Sequence, residues 1–129
     1  MGPNDASRIV IGAAIKVHTA LGAGLLERAY DACLYYELAQ AGVHFEHQVR
    51  LPVNYNGISL SAVYRVDFIV ERNLIVELKC VEKLLPVHTA QLISYLKLGG
   101  FPLGLLINFN TPHLRQGIRR VINAPEGDL

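Results

Sequence analysis

The sequence contains no tryptophan, a single methionine and only two cysteines in 129 residues. Cys33 and Cys80 are far apart, sit in apolar surroundings and form no C-x-x-C spacing. These features exclude a disulfide framework and a cysteine-built zinc site, and a reducing, cytoplasmic setting is the simplest reading. An excess of charge of one sign is missing too, because 12 Lys+Arg face 11 Asp+Glu for a formal net charge of +1. That balance argues against a strongly basic domain holding nucleic acid by charge alone, while leaving room for a local basic patch. Long apolar runs are also lacking. The longest uncharged stretch, Leu98 to Leu114, is broken by Gly99, Gly100, Pro102, Asn108, Asn110 and Pro112. A membrane-spanning helix needs about 20 mostly apolar residues, so no membrane segment is expected. The first residues show no basic segment followed by an apolar one, so no secretion signal is expected. Met1-Gly2 would suit myristoylation, but Ala6 stands where that signal needs Ser or Thr.

What is present is a chain with 51% apolar and 18% charged residues, too apolar for disorder and rich enough for a packed core. Its length fits a single domain over residues 1–129, with a core from about residue 8 to 122. Asp5 and Ser7 are suitable N-caps for a first helix running to about Leu21, with Val10, Ala14, Val17 and Leu21 on its apolar stripe. Gly22-Ala23-Gly24 breaks the chain, and a second helix from about Leu25 to Ala41 stops at Gly42.

From Phe45 the period becomes two: Val49, Leu51 and Val53 alternate with Gln48, Arg50 and Pro52. Asn56-Gly57 marks a hairpin turn, Ile58 to Val70 a second strand, and Leu74 to Cys80 a third after the turn Glu71-Arg72-Asn73. Pro86 suits the first turn of a helix reaching about Leu98, and Leu103 to Phe109 reads as a buried strand. A short basic helix is expected from about His113 to Val121, carrying Arg115, Arg119 and Arg120, before a polar tail from Asn123 to Leu129. The order α-α-β-β-β-α-β-α predicts an α/β domain of the α+β kind, with a mixed sheet flanked by helices.

Charges interrupt the apolar runs of the second and third strands. Glu77 and Lys79 are two apart in Leu74-Ile75-Val76-Glu77-Leu78-Lys79-Cys80, so they share one face, while Val76, Leu78 and Cys80 share the other. Asp67 lies in the equally apolar run from Tyr64 to Val70. If Val70 and Leu74 flank the turn, counting back along both strands sets Asp67 opposite Glu77 and Arg65 opposite Lys79. Facing carboxylates would have Cβ atoms about 4.5–5.5 Å apart. They repel each other unless a divalent cation lies between them or a nearby lysine serves both as counter-ion. Spacing alone leaves both explanations open. His44 and His47 precede a strand without cysteine partners, and His18 reads as a hydrogen-bonded, half-buried residue.

Asp67, nine residues and then Glu77-Leu78-Lys79 resembles the D…(D/E)-x-K signature of the PD-(D/E)XK nuclease superfamily, although Val66 stands where that signature has its leading proline. Gly24-Leu25-Leu26-Glu27-Arg28-Ala29-Tyr30 is similar to the motif naming the bacterial GxxExxY proteins. That likeness continues through Gln48, Tyr55-Asn56-Gly57, Gln91 to Leu98 and Leu105 to Phe109. The resemblance implies a restriction-endonuclease-like core and a Mg²⁺- or Mn²⁺-dependent phosphodiesterase acting on nucleic acid, with DNA favoured over RNA. It implies that Asp67 and Glu77 bind the cation with Glu27 and the backbone carbonyl of Leu78, and that Lys79 positions or deprotonates the attacking water. Gln91 and Tyr95, four apart on one helix face, resemble the Gln-x-x-x-Tyr pair that sits beside the metal and the nucleic-acid backbone in recombination-type exonucleases.

Each of these residues also has a plainer explanation. Glu27 would complement a helix dipole, and Gln91 and Tyr95 would form a polar seam on a core helix. A silent nuclease-fold module for binding or assembly, and a phosphodiesterase for small nucleotides, are the alternative functions. A homodimer could widen the phosphate-binding groove.

Overall fold

The computed structural model describes residues 1–123, and for residues 61–63 the backbone alone. Helix α1 spans Pro3–Leu21, α2 Glu27–Ala41 and α3 Pro86–Gly99; the strands are β1 Phe45–Tyr55, β2 Ile58–Val70, β3 Leu74–Lys79, β4 Leu103–Asn108 and β5 Ile118–Ile122. Proline at the first position, with its fixed φ, starts α1 earlier than the expected caps. Asp5 instead pairs with Arg8 at 2.6 Å on the surface, and Ser7 is buried. Gly42 ends α2 in the left-handed conformation at φ 72°. Asn56 and Gly57, at φ 49° and 76°, form the hairpin turn between β1 and β2.

Among the described residues the sheet has five strands in the order β1-β2-β3-β4-β5. Only β3 and β4 run parallel, joined by the crossover helix α3; the other neighbours are antiparallel. Helices α1 and α2 cover one face, setting Val10, Val17, Tyr30 and Leu34 against Phe68, Val76, Leu78 and Leu105. Helix α3 covers the other, where Leu92, Tyr95 and Leu96 meet Leu51, Val66, Ile75 and Leu106. Tyr30 also fastens the α1–α2 connection, since its hydroxyl donates to the Gly22 carbonyl at 2.6 Å and accepts from the Leu25 amide at 3.1 Å.

The expected basic helix from His113 to Val121 is not formed. A single 3₁₀ turn, Leu114–Gly117, leads into β5, which pairs with β4 from Leu103↔Ile122 to Ile107↔Ile118. Ile118, Val121 and Ile122 favour an extended chain, and the fully buried β4 would otherwise leave one row of backbone groups unpaired. Gly117 permits the approach: a Cβ there would lie 2.3 Å from the Asn108 carbonyl oxygen. Arg115, Arg119 and Arg120 consequently share no helix face. Arg119 bonds its neighbouring backbone at Gln116 and Ile118, and Arg120 reaches the Asn4 side chain. Of the expected polar tail, residues 124–129 lie outside the described residues. No described helix is long and apolar enough to cross a membrane.

Candidate active site

The β2–β3 ladder pairs Val70 with Leu74, Ile69 with Ile75 and Phe68 with Val76, which is the register expected from the turn. The regular ladder ends there, so Asp67 with Glu77 and Arg65 with Lys79 are not ladder pairs, although the Asp67 and Glu77 carboxyls still come within hydrogen-bond reach of each other. The Asp67 carboxylate bonds past the ladder instead, with Oδ2 accepting the Leu78 amide at 2.8 Å. The change has a cause in β1. Gln48 adopts φ 52°, a left-handed backbone inside a strand. Before it Phe45 packs in the α1/α2 layer, while after it Val49 and Leu51 pack beneath α3. Strand β2 makes the matching reversal, with Val66 beneath α3 and Phe68 beneath α1 and α2. Alternate residues of a regular strand share a face, so both strands switch faces at the Gln48–Asp67 level.

This kink gathers a polar network. The Gln48 amide nitrogen donates to Asp31 Oδ2 at 3.2 Å and to Asp67 Oδ1 at 3.3 Å, and His47 Nε2 lies 2.6 Å from Asp31 Oδ1. Glu27, Arg28, Asp31, Gln48, Arg65 and Asp67 line a cavity of about 570 Å³ at the start of α2. Neither arginine has an ion-pair partner among the described residues. Asp31, four residues after Glu27 on the same helix face, was not singled out from the sequence, although that spacing was its available signal. Gln48 entered only as part of a likeness, because nothing in a one-letter sequence marks a left-handed glutamine.

Glu77 is only 8% exposed, and its Oε1 is buried without a hydrogen-bond partner. Burial, then the negative charge of Asp67 and a hydrogen bond between the two carboxyl groups, push its carboxyl up to about 9, with Lys79 opposing the rise. Glu77 therefore carries a proton at neutral pH in the metal-free protein. Burial also raises the Glu27 carboxyl, helped by Asp67 and Asp31 and opposed by Lys79. Asp67 and Lys79 thus act on both glutamates, Glu27 and Glu77.

Tyr95 is buried and Gln91 exposed on α3. Burial, then the charges of Glu77, Tyr64 and Asp67, raise the Tyr95 hydroxyl, which connects α3 to the carboxylates. His88 has a structural task, its Nδ1 accepting the Leu85 amide at 2.9 Å where α3 begins. His18 Nε2 lies 2.8 Å from the Thr111 carbonyl oxygen.

Among the described residues no three His, Cys, Asp or Glu side chains form a ready-made metal cage. The donor chemistry nevertheless suits a hard cation. Mg²⁺ usually takes one or two protein carboxylates, completing its shell with water and substrate phosphate. The unpartnered buried Oε1 of Glu77 is the feature that a cation would satisfy.

A sequence model described as the PD-(D/E)XK nuclease superfamily matches residues 4–121. The chain belongs to this superfamily. Its α+β architecture, a mixed sheet between helical layers, is the restriction-endonuclease-like fold of that superfamily. Among solved structures, one described as the crystal structure of SSO0001 is similar, at 16% identity and a TM-score of 0.49, over 95% of this chain and 68% of that chain. No curated relative matches.

Proposed function

We propose that this PD-(D/E)XK protein is a divalent-metal-dependent nuclease that hydrolyses phosphodiester bonds in nucleic acid, with DNA favoured over RNA, and that it falls in the GxxExxY group. The observation that carries this reading is the buried, unpartnered carboxylate oxygen of Glu77 beside Asp67 and Lys79. Asp67 and Glu77 would hold Mg²⁺ or Mn²⁺, joined by Glu27 and the Leu78 carbonyl. When bound, the cation would supply Lewis-acid stabilisation of the charge developing on the phosphate oxygens.

The chain's own residues supply the rest. The Leu78 amide and the Gln48 side chain fix Asp67 from two directions, and a fixed carboxylate needs no reorganisation during reaction. Lys79 would orient the attacking water and stabilise negative charge at phosphorus, opposite in sign to the carboxylates it faces. Arg28 and Arg65, at the rim of the polar cavity, are placed to receive the flanking phosphates. Gln91 and Tyr95 would border the nucleic-acid backbone.

Glu27 separates two roles. As a ligand its replacement in Glu27→Gln should weaken Mn²⁺ binding while leaving metal-free stability nearly unchanged. As a dipole partner it should cost about 0.3–1 kcal/mol of stability with metal affinity intact. Thermal melts with and without Mn²⁺ distinguish the two, and the nuclease reading expects the first.

The activity is tested by incubating single-stranded and duplex DNA and RNA with the protein in Mn²⁺, Mg²⁺ or EDTA. Cleavage with either cation, none in EDTA and none by Asp67→Asn is the expected result. A folded protein that cleaves nothing in the panel would overturn the reading. Binding without cleavage would then indicate a nuclease-fold binding module, and hydrolysis of dinucleotides alone a small-nucleotide phosphodiesterase.

A further inference from the structure

Strand β2 separates the polar cavity just described from a second one. The second cavity, about 670 Å³, lies between the β1–β2 hairpin and α3, and its walls include Val53, Leu60, Tyr64, Gln91, Tyr95 and Lys97. Arg65 lines the first cavity and Tyr64 the second. Successive residues of a strand point to opposite faces, so one chain segment presents a guanidinium to one side and a phenol ring to the other. We propose that the second cavity is a nucleobase-stacking subsite, which makes the preferred substrate single-stranded beside the scissile phosphate. The proposal rests on the nuclease reading above and names the form of nucleic acid that the site takes.

The chemistry of the cavity matches a base. Tyr64 is 42% exposed and Leu60 47% exposed, so an aromatic and an aliphatic surface are both open to a ligand. The Tyr64 and Tyr95 rings stand 5.5 Å apart at 50°, forming an aromatic corner rather than a filled stack. Val53 completes an apolar wall, while Gln91 and Lys97 on α3 offer polar groups to base edges or to a neighbouring phosphate. A flat apolar face with polar edges is the shape of a nucleobase, and base–aromatic stacking tolerates any base. A base held in a duplex has its faces covered by stacked neighbours and cannot enter.

The cavity also adjoins the carboxylates. Tyr95 forms its inner wall and feels the charges of Glu77 and Asp67. Tyr95 therefore links the carboxylates to the wall that Tyr64 forms 5.5 Å from it. The near-neutral charge points the same way. With a net charge of +1 the chain has less of the phosphate attraction on which duplex binding most depends, so stacking adds a contact that the two cavity arginines alone do not supply.

Fluorescence anisotropy with a labelled single-stranded oligodeoxynucleotide and its duplex, both in EDTA so that nothing is cleaved, tests the subsite apart from catalysis. The single strand should bind on the order of tenfold or more tightly than the duplex, and Tyr64→Ala should lose about that advantage. Tyr64→Phe should keep it, because the ring is retained. Leu60→Asp, which puts a negative charge at the exposed mouth, should weaken single-strand binding as well. Mn²⁺ calorimetry on Tyr64→Ala reads the carboxylates separately and should match the wild type. Equal affinity for the two nucleic acids, binding of neither, or undiminished single-strand binding by Tyr64→Ala would overturn the subsite. None of those results alters the Mn²⁺ binding or the cleavage on which the nuclease reading stands.

Discussion

In EDTA the protein should lose stability as the pH rises from about 5 to about 9, and Glu77→Gln should abolish most of that loss. The folded chain holds the Glu77 proton up to about pH 9, whereas the unfolded chain releases it near the ordinary value of 4.5. Between those values the unfolded state binds fewer protons, so stability falls with increasing pH. The contribution is fully present below about 4.5 and gone above about 9. One unit of pKa difference corresponds to about 1.4 kcal/mol, so a displacement of this size makes an effect on the order of several kcal/mol. Glu27, also raised, acts in the same direction. Denaturant unfolding at pH 6 and pH 9 checks it: a stability independent of pH in the wild type would mean that Glu77 is solvated or paired. Glutamine keeps the shape of the side chain and cannot ionise, so the stability of Glu77→Gln should fall far less over that interval, the remainder belonging to Glu27.

Replacing Lys79 by Met should lower the cleavage rate by a factor on the order of 10² or more, while Mn²⁺ affinity holds or rises. Methionine keeps much of the apolar stem and removes the ammonium, so the last residue of β3 can keep its place against Asn108. The rise in affinity follows from Coulomb's law. Lys79 is the cation that draws the Glu27 and Glu77 carboxyls down, so deleting it removes a positive charge that competes with the metal. Single-turnover cleavage and Mn²⁺ calorimetry on the same preparation separate the two effects. A Lys79→Met protein that cleaves at the wild-type rate would remove Lys79 from the chemistry.

The elements legible in the sequence were those whose signals are local. Asn56-Gly57 located the hairpin, Pro86 the start of α3, and the unbroken apolar run after Pro102 a buried strand that the fold places beside β3. The turn at Glu71 to Asn73 gave the correct β2–β3 register for the three pairs nearest to it. Extrapolating that register failed at Asp67, because the cause lies one strand away. Gln48 turns its backbone left-handed, both strands switch faces, and Asp67 leaves the ladder to bond the Leu78 amide while its carboxyl stays beside that of Glu77. Strand β5 was missed for a similar reason. Leu114 to Val121 has weak helical character of its own, and the open edge of β4 decides its conformation. Asp67, Glu77 and Lys79 were visible as charges in apolar strands, and Glu27 through the likeness of Gly24 to Tyr30. The places of Arg28, Asp31 and Arg65 beside the carboxylates were not, since only the packing of α2 against the kink collects them.

On the nuclease reading, Asp67 and Glu77 together bind a divalent cation. Calorimetric titration of the protein with Mn²⁺ at pH 7, in two buffers of different ionisation enthalpy, tests it most directly. The wild type should bind Mn²⁺ and release about one proton, because Glu77 must give up the proton it holds up to about pH 9. The double variant Asp67→Asn, Glu77→Gln should show almost no binding, having lost both negative charges while keeping the shape of the site. Mn²⁺ binding by the double variant at wild-type affinity would contradict the assignment of these two carboxylates as the metal ligands.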